Sequence, residues 1–171
     1  MVDIDFVFWL FVILFAIIGG MRGWAKELLV IFSVILALFV LTVLYNYLAF
    51  VYSFLSSDPQ VRFWADSIIL VALSFFGYQT PNLQRFQAAA RREKLQDILF
   101  GIVLGGVNGY LIVGSIWYFL ARSDYFFDFV TAPQSDAAIR LAELLPPLWL
   151  QAPAVYFAVA IAFTFIVIVY I

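Results

Sequence analysis

Two short segments hold most of the residues that could do chemistry in an otherwise apolar chain. The first is Gly19-Gly-Met-Arg22-Gly23-Trp-Ala-Lys26-Glu27. A guanidinium and a carboxylate beside an apolar run both need partners, but side chains meet on a helix at three or four residues' separation. Arg22 and Glu27 are five apart, so pairing elsewhere, or with lipid phosphate, is the expectation. If the preceding helix runs on through the segment, Gly19, Gly23 and Glu27 fall on one stripe. Small residues at that spacing let a second helix approach closely. A tight turn with a snorkelling arginine is the plainer alternative.

The second segment is Asp97-Ile-Leu-Phe-Gly101-Ile-Val-Leu-Gly105-Gly106-Val-Asn108-Gly109. Asp97 can cap the positive N-terminal end of a helix that begins there. Gly101, Gly105 and Gly109 repeat every four residues, and propensity gives glycine no reason to recur in a helix. Close backbone contact is the better explanation, with a local break at Gly105-Gly106 as the other. Asn108 needs a hydrogen-bond partner if it sits in a membrane. Cysteine and histidine are both absent, which excludes disulfides, thiolate or imidazole metal sites and the Ser–His–Asp arrangement. No phosphate loop or pair of catalytic carboxylates is present. The chain is therefore expected not to be an enzyme, and to hold no cofactor or metal.

The elements that must position these residues follow from composition. Apolar residues make up 66% of the 171, and charged residues only 12%, far from the soluble globular norm. Roughly 20 apolar residues cross a bilayer, and five stretches approach that length: about 6–21, 28–55, 63–83, 98–121 and 153–171. Backbone groups in lipid must be satisfied within the segment, and none of the runs alternates as a barrel strand does. The fold class is thus all-α, a polytopic transmembrane helical bundle in one membrane domain, 1–171. The 28–55 run exceeds a bilayer and must tilt or project. The acidic start reads as the beginning of a retained first span. The fifth run reaches Ile171 without a polar flank, so the native chain stops at the membrane boundary or continues beyond it.

Two amphipathic joining segments are expected to lie in the interface, about 82–96 and 124–150. In the second, Ala137 to Leu145 forms a helix that Pro146-Pro147 stops. Tyr125 to Phe129, with Trp149, reads as an aromatic belt. Asp66 reads as interfacial. With no charge deep inside spans one, two, four or five, a small transporter or channel is disfavoured.

The two glycine motifs resemble those of the colicin V production protein family of bacterial inner-membrane proteins. Gly19, Arg22, Gly23 and Glu27 fit its first pattern, and Asp97, Gly101, Gly105 and Gly109 its second, with Leu111-Ile112 continuing it. The resemblance covers roughly residues 3–121, at most to Leu148, and leaves the fifth span as an addition. It implies an inner-membrane protein linked to toxin production and envelope physiology. Its partners would be the bilayer and other membrane helices, as a homo-oligomer or in a larger complex, and not nucleic acid. A structural accessory subunit of a larger, for example energy-converting, assembly is the alternative.

Loop charges set an orientation. Arg22, Lys26, Arg85, Arg91, Arg92 and Lys94 fall on one side; the other carries Arg62, Arg122 and Arg140 against eight acids, Asp3, Asp5, Asp58, Asp66, Asp124, Asp128, Asp136 and Glu143. By the positive-inside rule the basic side is cytoplasmic and the N-terminus outside. In this thiol-free chain, Lys26→Cys and Arg92→Cys are expected to resist a membrane-impermeant maleimide in intact spheroplasts, while Asp124→Cys reacts. Labelling at position 92 from outside would refute the orientation.

Overall fold

The computed structural model describes residues 2–55, 58–79 and 94–170. Most of the expected 82–96 interfacial segment therefore lies outside the described residues, as do 80–83 at the end of the third span. Four helices are long and apolar enough to cross a membrane: α1 (Ile4–Arg22), α2 (Trp24–Tyr47), α4 (Pro59–Tyr78) and α5 (Lys94–Ala121). Short α3 (Ala49–Leu55) follows α2, and α6 (Asp136–Ala142) and α7 (Pro146–Trp149) follow α5. The last helix, α8 (Ala154–Tyr170), is apolar but has 17 residues, about 26 Å at 1.5 Å per residue. That is just under the roughly 30 Å hydrocarbon layer.

The expected single span over 28–55 is two helices. α2 stops at Leu48, whose φ of -111° and ψ of 82° are not helical, and α3 buries none of its residues. The 24 residues of α2 already give about 36 Å, so the membrane is crossed before Leu48. The third span starts earlier than 63 because Asp58 caps α4, accepting from Gln60 N–H at 2.8 Å. Pro59 occupies the first helical position, where its missing N–H costs nothing.

α1 packs most extensively against α5, and α2 against α4 and α5; α8 rests on α2. A Cβ on Gly105 would lie 2.9 Å from Gly19 Cα, and one on Gly109 at 2.9 Å from Val12 Cα. A Cβ on Gly101 would collide with the Gly19 carbonyl. The two backbones thus touch without intervening side chains, and α5 continues unbroken through Gly105-Gly106. Two further close approaches were not singled out in the sequence: Gly77 of α4 against Val30 and Ser33 of α2, and Gly114 of α5 against Pro146 of α7.

The connecting segment after α5 differs from expectation. Its helix ends at Ala142, and Pro146 opens a new one instead of only stopping the old. Phe126 and Phe127 pack edge-on against Phe63, at 5.3 and 5.8 Å between centroids, so this part of the aromatic run covers the head of α4. Phe129 and Trp149 are exposed. Asp124 and Tyr125 take left-handed φ angles of 57° and 48°, costing roughly 1–2 kcal/mol each. The turn aims the Tyr125 hydroxyl at Trp117, whose Nε1–H donates to it at 3.1 Å. Burial pushes that hydroxyl's pKa up, against the opposing pull of the Trp117 bond. A two-residue parallel pairing of β1 (Val2–Asp3) with β2 (Val130–Thr131) ties the chain start to this segment; Thr131 Oγ1–H donates to Asp3 at 2.9 Å.

Gly105→Leu is expected to destabilise the bundle by about 3 kcal/mol or more, because backbone and not a yielding side chain meets the new atoms. Gly106→Ala meets only Ala16 Cβ at 3.8 Å and should be close to neutral. Loss of helicity on titration with sodium dodecyl sulfate measures both.

Candidate functional site: a buried ionic clamp

α1 ends because Gly23 has φ 88° and ψ 156°, a region essentially closed to residues with a Cβ. Its N–H closes the helix on Gly19 O at 2.9 Å, and α2 starts at the next residue. Gly19, Gly23 and Glu27 therefore do not share one stripe. Gly19 faces α5, Gly23 makes the turn, and Glu27 sits in the first turn of α2. The break also removes the reason for expecting Arg22 and Glu27 not to pair. Five residues apart across a reversal, they form an ion pair, Nη1 to Oε1 2.5 Å.

The pair is the centre of a larger cluster. Glu27 and Asn108 are both 0% exposed. Asn108 Nδ2 donates to Glu27 Oε2 at 2.8 Å and to the Glu27 carbonyl at 3.0 Å. Two acceptors facing one end of the amide fix its orientation, since an oxygen there would be repelled. Arg22 Nη2 donates to the Tyr78 carbonyl at 3.2 Å, and the guanidinium lies 4.2 Å from the Tyr78 ring centroid. One charge-assisted network thus joins the end of α1, the start of α2, the end of α4 and the middle of α5. Sequence reading missed Tyr78; an aromatic residue at the end of a span ordinarily signals only the interface.

Asp97 acts beside this cluster. It stands in the first turn of α5, as expected, and its Oδ1 also accepts the Trp24 N–H at 3.1 Å, so it caps α2 across the helix interface. A Cβ at Gly23 would lie 2.7 Å from Asp97 Oδ2, so glycine is required there for space as well as for conformation. With Glu27, two carboxylates stand at the positive end of α2. Gly101 and Gly105 meet Gly19 immediately next to them, and Gly109 lies one turn further along against Val12 and Phe15. All nine residues read from the two motifs lie in one continuous zone.

Each oxygen of the Glu27 carboxylate has a partner: Oε1 is held by Arg22 and Oε2 by Asn108. Asn108 Oδ1 and the Tyr78 hydroxyl have no hydrogen-bond partner among the described residues. Asp66, expected at the interface, is also inside the bundle: 4% exposed, it accepts a hydrogen bond from the Tyr45 hydroxyl. Glu27, in the first turn of α2, and Asp66 of α4 are thus two buried carboxyl groups among the described residues.

These features define a polytopic α-helical membrane protein locked by a buried ion pair at a glycine turn. The chain belongs to the colicin V production protein family, which it matches over residues 4–128. The matched region contains every residue of the clamp and ends before α6, α7 and α8. No curated protein and no solved structure matches the chain.

Removing one member of a buried pair strands the other, so Glu27→Ala is expected to cost about 3–5 kcal/mol. Asn108→Leu should cost about 1–3 kcal/mol. Arg22→Leu combined with Glu27→Leu should cost less than the sum of the two single changes, because neither charge is then left alone. Detergent-titration unfolding of the four proteins reads the coupling; additive losses would show that the pair is not linked.

Proposed function

We propose that this protein works as an inner-membrane helix-packing protein, supporting toxin production and envelope physiology by binding other membrane helices and not by catalysis. The observation that carries this is a groove of about 840 Å³ between α1 and α5. Its walls are Ile13, Ala16, Ile17, Gly20, Ile98 and Ile102, and Lys94 and Asp97 stand at one end. Transmembrane helices associate through van der Waals packing at places where small residues allow close approach. Gly20 and Ala16 make such a place, on the face of α1 opposite to its intramolecular partners only in part, so a second helix can share α5. The clamp keeps α1 and α5 fixed and thus preserves the groove's shape. Arg22, Lys26 and Lys94 at one end of the bundle support a cytoplasmic position for that end.

Whether the partner is a second copy or a foreign subunit, as in the accessory-subunit reading, separates on native sizing. Gentle extraction should give a small homo-oligomer. Ile13 and Ile17 are exposed at 58% and 57%, so Ile13→Ala with Ile17→Ala spares the chain's own core. It is expected to weaken self-association about tenfold while detergent stability stays unchanged. Co-migration of other proteins with the wild type only would favour the accessory role. Asp66, buried beside a cavity, favours a second reading, solute or ion passage; flux through liposomes holding the purified chain alone would displace the first.

A further inference from the structure

The acidic end of the bundle contains an anomaly of charge. Of the three arginines on that side, Arg62 and Arg122 line the same cavity, about 560 Å³ in volume, between α2, α4, α5 and the turn before α8. That is within the usual range of small-ligand sites. An arginine serving only to anchor a helix extends its head toward water. Arg62 does the reverse: its side chain is 13% exposed and folds back over the Tyr45 ring, 4.4 Å from the centroid. Its Nε lies 3.9 Å from Asp66 Oδ2, too far for a hydrogen bond, and is buried without a hydrogen-bond partner among the described residues. Asp66 is turned toward Tyr45, so it neutralises Arg62 in part and leaves the Nε donor without an acceptor among the described residues.

Arg122 closes the other wall. Ser123 Oγ–H donates to the Pro59 carbonyl at 2.8 Å, which fastens the end of α5 to the start of α4 and fixes the distance between the two guanidinium-bearing elements. Asn46 and Gln151 add amide donors to the lining. Two guanidinium groups and two amides line the cavity beside one carboxyl, and together they carry more N–H donors than the roughly four lone-pair sites of a carboxylate ligand can accept. A phosphate group, with more acceptor oxygens and the geometry that guanidinium forks favour, fits better.

We propose that this cavity binds a phosphate group, gripped between Arg62 and Arg122, with Asp66 and Tyr45 holding the Arg62 side chain in place. The phosphate belongs either to a phospholipid headgroup entering from the leaflet or to a soluble phosphate ester, and the site is separate from the partner-helix groove.

The purified full-length chain is titrated with phosphatidylglycerol, followed by native mass spectrometry, and with glycerol 3-phosphate, followed by calorimetry. Arg122→Gln, at an exposed residue, should weaken binding about tenfold with an unchanged unfolding midpoint, and Arg62→Gln with Arg122→Gln should abolish it. Arg140→Gln removes the same charge elsewhere on that side and should leave binding intact. Arginine-dependent binding of phosphatidylglycerol alone assigns a lipid; binding of glycerol 3-phosphate assigns a soluble ester. Binding of neither probe, or equal loss in Arg122→Gln and Arg140→Gln, overturns the proposal.

Discussion

Glu27 is a carboxylate with no exposed surface in a chain made to sit in lipid, and the arrangement around it follows from that constraint. Burying an ion costs several kcal/mol even after relaxation, unless opposite charge and hydrogen bonds are supplied at close range. Arg22 supplies the charge and Asn108 the amide. For Arg22 to reach Glu27 the chain must reverse between them. Gly23 makes that reversal with a backbone conformation that side chains forbid. The ends of two helices and the middle of a third are thereby brought to one point before any apolar packing is considered.

Apolar packing could not do this alone. Between helices in a bilayer there is little hydrophobic driving force, because lipid tails are as apolar as leucine. Specificity must come from close backbone contact or from polar groups. This bundle uses both at the same level: the Gly19 contact with Gly101 and Gly105 lies next to the Asp97–Trp24 cap and the Arg22–Glu27 pair. Each supports the other. The glycines bring α5 close enough for Asp97 and Asn108 to reach α2, and the resulting bonds fix the register in which glycine faces glycine.

Much of this was legible in sequence, and the failures share one physical origin. Apolar run length located α1, α2, α4 and α5, and glycine spacing located the α1–α5 contact zone. Pairing across a helix break was not legible, because the periodicity argument that separates Arg22 from Glu27 presumes that the helix continues. The same presumption merged α2 with α3, since nothing in the 28–55 composition marks Leu48. Tyr78 joins the clamp partly through its carbonyl, a group every residue carries and no sequence pattern reports. The burial of Asp66 was not legible, because it depends on Tyr45, 21 residues away.

The two polar clusters at opposite ends of the bundle differ in a way that separates structural roles from binding roles. In the first, both oxygens of the carboxylate are engaged and the cation is shared among a carboxylate, a carbonyl and a ring. Opening it would separate a buried charge from its partners, so it suits a fixed joint. In the second, the carboxyl accepts from a tyrosine, and the arginine beside it keeps a buried Nε donor without a partner among the described residues, next to open volume. A buried donor without a partner costs about 1–3 kcal/mol, and a ligand that supplies the acceptor recovers that cost on binding. Incomplete satisfaction beside a cavity is therefore the feature that distinguishes a place prepared for another molecule from one that holds the fold together.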